Sequence, residues 1–174
     1  MNSVLLDTSF LISLSDPARK HHEAAQQYFK ACIDRRVPMF LSSIVISEYQ
    51  VRQAINDLPL RNFIVLPFNV DHAMACGLLV RASPRDAGDD RVRVKDDFKL
   101  IAQCQCDAVS HVLTEDASTL MKYIERLNAE GRLETRCVLL EGGRCGVVRE
   151  WSGKAGAVGG IGPTCRPARK LRSG

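Results

Sequence analysis

The residues best placed to do chemistry are acidic, and four of them stand in telling positions. Asp7 closes the apolar run Val4-Leu5-Leu6 in "VLLDTSF", Asp116 follows Val112-Leu113 in "VLTEDAST", Glu48 lies in "VISEYQ" and Asp97 in "KDDFKLIA". A carboxylate just after a short aliphatic run is commonly a turn former or helix cap, and the hydroxyls of Thr8 and Ser9 can share that work beside Asp7. Taken singly, none of the four signals more. Gathered in one crevice they would repel one another unless a hard divalent cation neutralised them. A site of that kind performs hydrolysis without a Ser, Cys or His nucleophile.

Whether the four meet depends on the elements that carry them. Val4-Leu5-Leu6 reads as a first buried strand. In the stretch that follows, Asp16 and Pro17 predict an N-cap and first helical position, with Ala24, Ala25, Tyr28, Phe29 and Cys32 on one helical face. "VPMFLSS" predicts a strand, and a helix begins near Ser43. "NFIVLPF" predicts a third strand, with Asn69 or Asp71 capping the next helix. Residues 83–94 are polar and turn-rich and read as a loop. Asp96 or Asp97 then opens a helix through Phe98, Leu100, Ile101 and Cys104. "SHVLT" is a strand, residues 116–131 a helix stopped by Gly131, and residues 136–140 a closing strand. Alternating strands and helices predict a three-layer α/β/α sandwich with a mainly parallel central sheet. Function in such sheets collects beyond the strand carboxyl ends, where Asp7 and Asp116 fall.

At 174 residues the chain has room for one domain. Seven scattered cysteines, without a C-x-x-C pair, read as reduced thiols in a cytoplasmic protein. Neither a secretory leader nor a run long enough to span a membrane is expected. Charge is unevenly divided: residues 1–143 hold 17 Lys+Arg against 19 Asp+Glu (net −2), and residues 144–174 hold 7 against 1 (net +6). Nine of the twelve glycines fall in residues 142–174, a basic stretch without helical or strand periodicity, expected to be poorly ordered. The four histidines read as surface or packing residues.

These acids and their settings resemble the PIN-domain nucleases, in particular the VapC-like toxin ribonucleases. The likeness rests on "LLDTSFLI", "SEY", "KDDFKLIA" and "HVLTED" and covers residues 1–141, leaving 142–174 without a counterpart. It implies that Asp7, Glu48, Asp97 and Asp116 hold Mg²⁺ or Mn²⁺ and are catalytic. Only Asp97, rather than its neighbour Asp96, puts Leu100, Ile101 and Ala102 in the family's phase. Asp96 is then left as an N-cap or a positioning residue. Ser9 matches the hydroxyl residue that supports the first acid, and Thr114 stands in a similar relation. Arg91, Arg93 and Lys95 form an alternating basic run before Asp97 that could hold a polyanion, as could Lys122, and a solvated face explains them at least as well. The resemblance further implies in-line hydrolysis of RNA leaving a 5′-phosphate and a 3′-hydroxyl, a small antitoxin partner and a homodimer.

Two other classes compete. "LLDTS" is also similar to the start of haloacid-dehalogenase-type phosphatases, with Asp7 as a covalent nucleophile, although Ser9 stands where that family wants a second acid. A non-catalytic PIN-like module that binds RNA or protein is the third. A covalent aspartyl-phosphate separates the second class from the first, and metal-dependent RNA cleavage separates the first from the third.

Overall fold

The structure, a computed structural model, describes residues 2–140. The Gly-rich stretch 142–174 lies outside the described residues. Five strands, β1 (Val4–Leu6), β2 (Met39–Ser42), β3 (Ile64–Leu66), β4 (His111–Thr114) and β5 (Arg136–Leu139), form one sheet in the order β3-β2-β1-β4-β5. Every pairing is parallel. Six helices flank it: α1 (Thr8–Ser15), α2 (His22–Asp34), α3 (Ser43–Gln50), α4 (Val70–Ala82), α5 (Arg91–Cys106) and α6 (Leu120–Ala129). This is the expected three-layer architecture.

Burial follows the order of the sheet. The central strand β1 is wholly buried and aliphatic, as a strand covered on both faces must be. On the edge strand β3, Ile64 and Val65 are exposed. A single core holds Phe10, Leu11, Tyr49, Phe98, Ile101, Leu113, Leu120 and Tyr123. Outside it, an apolar stripe runs along α4, where Val70, Met74 and Leu78, four residues apart, are all more than half exposed. Among the described residues no helix is long and apolar enough to cross a membrane, and the described cysteines are free thiols.

Three boundaries depart from the sequence reading, each for a local reason. First, a helix starts at once after β1: Asp7 is the N-cap of α1, and its side chain accepts from the Ser9 amide. Asp16 is the C-cap of that helix, not the start of another; its side chain closes a turn onto the Ala18 amide (2.9 Å), and α2 opens only at His22. Second, α5 begins at Arg91. Its N-cap is Asp90, which accepts from the amides of Val92 and Arg93 (both 2.9 Å), so neither Asp96 nor Asp97 caps anything. Val94, 3% exposed, adds a turn to the buried face that Phe98 and Ile101 continue. Third, α6 begins at Leu120, because the Asp116 carboxylate is spent on a turn that precedes it. Its stop is as read: Gly131 has φ +67°, a conformation that suits glycine.

Candidate active site

Parallel pairing brings the ends of β1 and β4 together. Leu6 is in register with Leu113, and the Asp7 amide donates to the Leu113 carbonyl (3.1 Å), which sets Asp7 beside Thr114. Asp7 is nearly buried, and its Oδ2 accepts from Ser9 Oγ (2.6 Å), Thr114 Oγ1 (2.7 Å) and, at longer range, the Ser9 amide (3.4 Å). Each hydroxyl has one proton to give. Both protons go to Asp7, and both oxygens in turn accept from the chain after β4: Glu115 N donates to Ser9 Oγ (2.8 Å), and Asp116 N donates to Thr114 Oγ1 (2.9 Å). The Asp7 carboxylate is thus fixed to the element that presents Asp116.

An open crevice of about 800 Å³ at this edge of the sheet is lined by all four predicted acids, together with Ser9, Arg93 and Asp96. Thr114 lies beneath it, buried, bonded to Asp7. Lys95 is exposed and does not line the crevice, and Lys122 points elsewhere, bound to Asp86 and Asp89. Asp96 lines the wall and pairs with Lys99 (2.6 Å).

The carboxylates have different surroundings. Asp97 is 9% exposed, and its Oδ2 is buried without any hydrogen-bond partner. Burial pushes its carboxyl up to about 7; the Thr119 hydroxyl opposes this, while the charges of Asp116, Asp7 and Glu48 add to it. Glu48, on α3, is raised by burial, against a hydrogen bond from Thr8 Oγ1, and further by Asp7 and Asp96. Asp116 goes the other way. Burial would raise it, but the hydroxyls and amides of Ser118 and Thr119 outweigh burial and hold it below the usual range.

An acid near neutral pKa with a buried, unpartnered oxygen is a group whose charged form lacks compensation. The donor set is entirely carboxylate oxygen, the chemistry that hard divalent cations select, and the orphaned Asp97 Oδ2 is the specific observation that fits one. Among the described residues no three acid, His or Cys side chains already stand as a ligating group. The fit therefore lies in the donor chemistry and in the uncompensated charge.

No protein-family model matches the sequence, and no curated protein does. Solved structures do. A chain of the VapBC2 complex of Rickettsia felis, bound to a DNA fragment from its promoter, is similar over 78% of this chain and 97% of its own, with TM-score 0.52 and 13% identity. Mycobacterium tuberculosis VapC20, a Sarcin-Ricin loop cleaving toxin, is similar over 77% and 99%, with TM-score 0.51 and 20% identity. The fold is that of the VapC-type PIN domains. What is shared at such identity is the backbone plan; in this chain the sheet presents Asp7 and the turn holding Asp116 side by side.

The crevice also holds residues that the sequence reading missed. Thr8 bonds Glu48. Glu115, a further acid, is held by Ser13 Oγ and by Arg19 (2.8 Å). Arg52 lines the crevice from the turn after α3. Thr8 and Glu115 adjoin Asp7 and Asp116 in sequence, which is a signal that could have found them; Arg52 offers none.

Proposed function

We propose that this chain is a divalent-metal-dependent endoribonuclease that hydrolyses RNA phosphodiester bonds, and that it is the toxin of a toxin–antitoxin pair. The observation that carries the reading is the convergence of Asp7, Glu48, Asp97 and Asp116 on one crevice in which Asp97 Oδ2 is buried and unpartnered. The PIN fold supports it, since VapC20, one of the similar structures, is a Sarcin-Ricin loop cleaving toxin.

Asp7, Glu48, Asp97 and Asp116 would hold Mg²⁺ or Mn²⁺. When bound, the ion supplies Lewis acidity, activating water and stabilising charge on the attacked phosphate. The chain's own residues do the remaining work. Ser9 and Thr114 fix the Asp7 carboxylate through Oδ2 and leave its other oxygen for a ligand. Thr8 orients Glu48, and Ser118 and Thr119 keep Asp116 ionised. Asp97 would hold a cation only in its ionised form, so binding should strengthen as pH rises through about 7. For the partners, VapBC2, a toxin–antitoxin complex, supports an antitoxin. A homodimer is proposed as well, and the exposed Val70, Met74 and Leu78 stripe on α4 is an apolar surface open to a protein partner of either kind.

The test is cleavage of structured and unstructured RNAs by the full chain with Mg²⁺ or Mn²⁺, beside an EDTA control and Asp7→Asn. Cleavage that needs the metal and vanishes in Asp7→Asn is expected. Metal-independent cleavage, or full activity in the variant, would refute the reading.

A further inference from the structure

Three arginines line the carboxylate crevice: Arg19, Arg52 and Arg93. They are not equivalent. Arg19 is neutralised by Glu115 at 2.8 Å. Arg52 and Arg93 are exposed and make no ion pair or side-chain hydrogen bond with the described residues. In a crevice crowded with acids, two unpaired guanidinium groups are conspicuous, because Arg is well shaped to grip a carboxylate and here declines to.

Their placement has a common register. Arg93 stands four residues before Asp97 on α5, on the same helix face and about 6 Å along the axis. Arg52 stands four residues after Glu48, where the chain still turns tightly beyond α3, its amide donating to the Tyr49 carbonyl (3.0 Å). Each arginine is thus one turn from a different acid, on a different element, facing the same opening. Beside Arg52, Val51 is 84% exposed and also lines the crevice, giving apolar surface against which a base or ribose can rest.

We infer that Arg52 and Arg93 grip two backbone phosphates flanking the one presented to the acids, so that a dinucleotide is too short to be a good substrate. This rests on the RNA-cleaving reading above and adds to it a substrate length, a positioning role for Arg52 and a phosphate register for Arg93. The free guanidinium groups let the crevice attract a polyanion despite its carboxylates, and the bidentate geometry of Arg with phosphate fixes the strand's register.

The experiment measures binding of a fluorescent single-stranded oligoribonucleotide of mixed sequence to the full chain, in the Asp7→Asn background to prevent cutting, across a salt series. Arg52→Gln and Arg93→Gln are each expected to weaken binding and to flatten the log–log salt slope by about 0.7, the loss of one single-strand phosphate contact. Arg81→Gln, on α4 away from the crevice, removes the same charge and is expected to leave the slope alone. In cleavage by otherwise wild-type protein, the long strand should outrun a dinucleotide, and Arg52→Gln/Arg93→Gln together should erase most of that advantage. Matching thermal unfolding of all variants excludes misfolding. Unchanged slopes in both crevice variants, or an equal change in Arg81→Gln, would overturn the inference while wild-type metal-dependent cleavage kept the nuclease reading standing. Absence of that cleavage would instead fell the reading. Polyglutamate is the second probe: if it alone loses affinity in the variants, the arginines serve an acidic protein partner and the inference falls.

Discussion

Two clusters of acids in this molecule have opposite electrostatics. On the outside, Asp86 and Asp89 in the connection between α4 and α5 face Lys122, Tyr123 and Arg126 of α6. Lys122 reaches both acids, Arg126 pairs with Asp86 (2.7 Å), and the Tyr123 hydroxyl donates to Asp89 (2.6 Å). Both cations also sit 5.0 Å from the Tyr123 ring. Hydrogen bonds from Arg126 and Lys122 lower Asp86, and those from Lys122 and Tyr123 lower Asp89. In the crevice, Asp97 and Glu48 are raised, and Asp97 has an oxygen with no partner at all. The outer cluster is complete within the chain. The crevice leaves an acid oxygen without a partner among the described residues, and that difference, rather than the presence of acids, sets it apart.

The contrast can be broken most severely at Asp97. Asp97→Asn should bring RNA cleavage to the assay floor, whereas Asp89→Asn should leave it near wild type; equal activity in the two variants would erase the distinction. Next comes the support of Asp7. Ser9→Ala or Thr114→Val removes one hydroxyl that holds Oδ2, with an expected loss of about 10–100-fold in metal affinity or activity. Titration of the metal in each variant checks this.

The third effect is on stability against pH in the metal-free protein. Asp97 has its folded pKa raised from 3.8 to about 7, so the folded state binds a proton more readily than the unfolded chain does. The stabilisation from this group is full below the unfolded value and is lost as pH rises through about 7, and Glu48, also raised, acts in the same direction. His111, lowered from 6.5 to about 4 by burial, acts in the opposite direction over much of this range, so the effect is a difference: metal-free wild type should lose thermal stability relative to Asp97→Asn as pH rises from about 4 to about 7. Mg²⁺ should restore more stability at the higher pH, where the acids are ionised. A difference between wild type and Asp97→Asn that does not change across that window would contradict the assignment.

The outer cluster should respond weakly to everything. Arg126→Ala is expected to cost no more than about 1 kcal/mol, since the pair is solvent-exposed, with no change in response to metal. Smallest of all is removal of residues 142–174. The sheet and its core close within the described residues, with Leu140 already 3% exposed, so thermal unfolding should barely move.

The same contrast explains what was legible in the sequence. Asp7 and Asp116 could be read because each follows an apolar strand whose end is visible as composition. The fold class was readable for the same reason, because short aliphatic strands alternated with helical stretches. The start of α5 was not, since Arg91-Val92-Arg93-Val94 alternates with a strand-like period and only the packing of Val94 into the core reveals the helix. The start of α1 was hidden by its nearly continuous apolar run, and Asp16-Pro17 imitated an N-cap while ending a helix. Arg52 lies in a polar turn that offers no periodicity. Its place in the crevice is created by tertiary folding alone. The pairing of Lys122 with Asp86 and Asp89 was hidden likewise, being a contact across more than thirty residues of chain.

The most direct test of the central claim is a Mn²⁺ titration of the full chain followed by electron paramagnetic resonance, comparing wild type with Asp97→Asn and Asp89→Asn. Wild type and Asp89→Asn should take up the ion alike, more tightly above about pH 7 than below it, and Asp97→Asn should lose most of that affinity together with the pH dependence. Indistinguishable Mn²⁺ uptake by Asp97→Asn and wild type would contradict it.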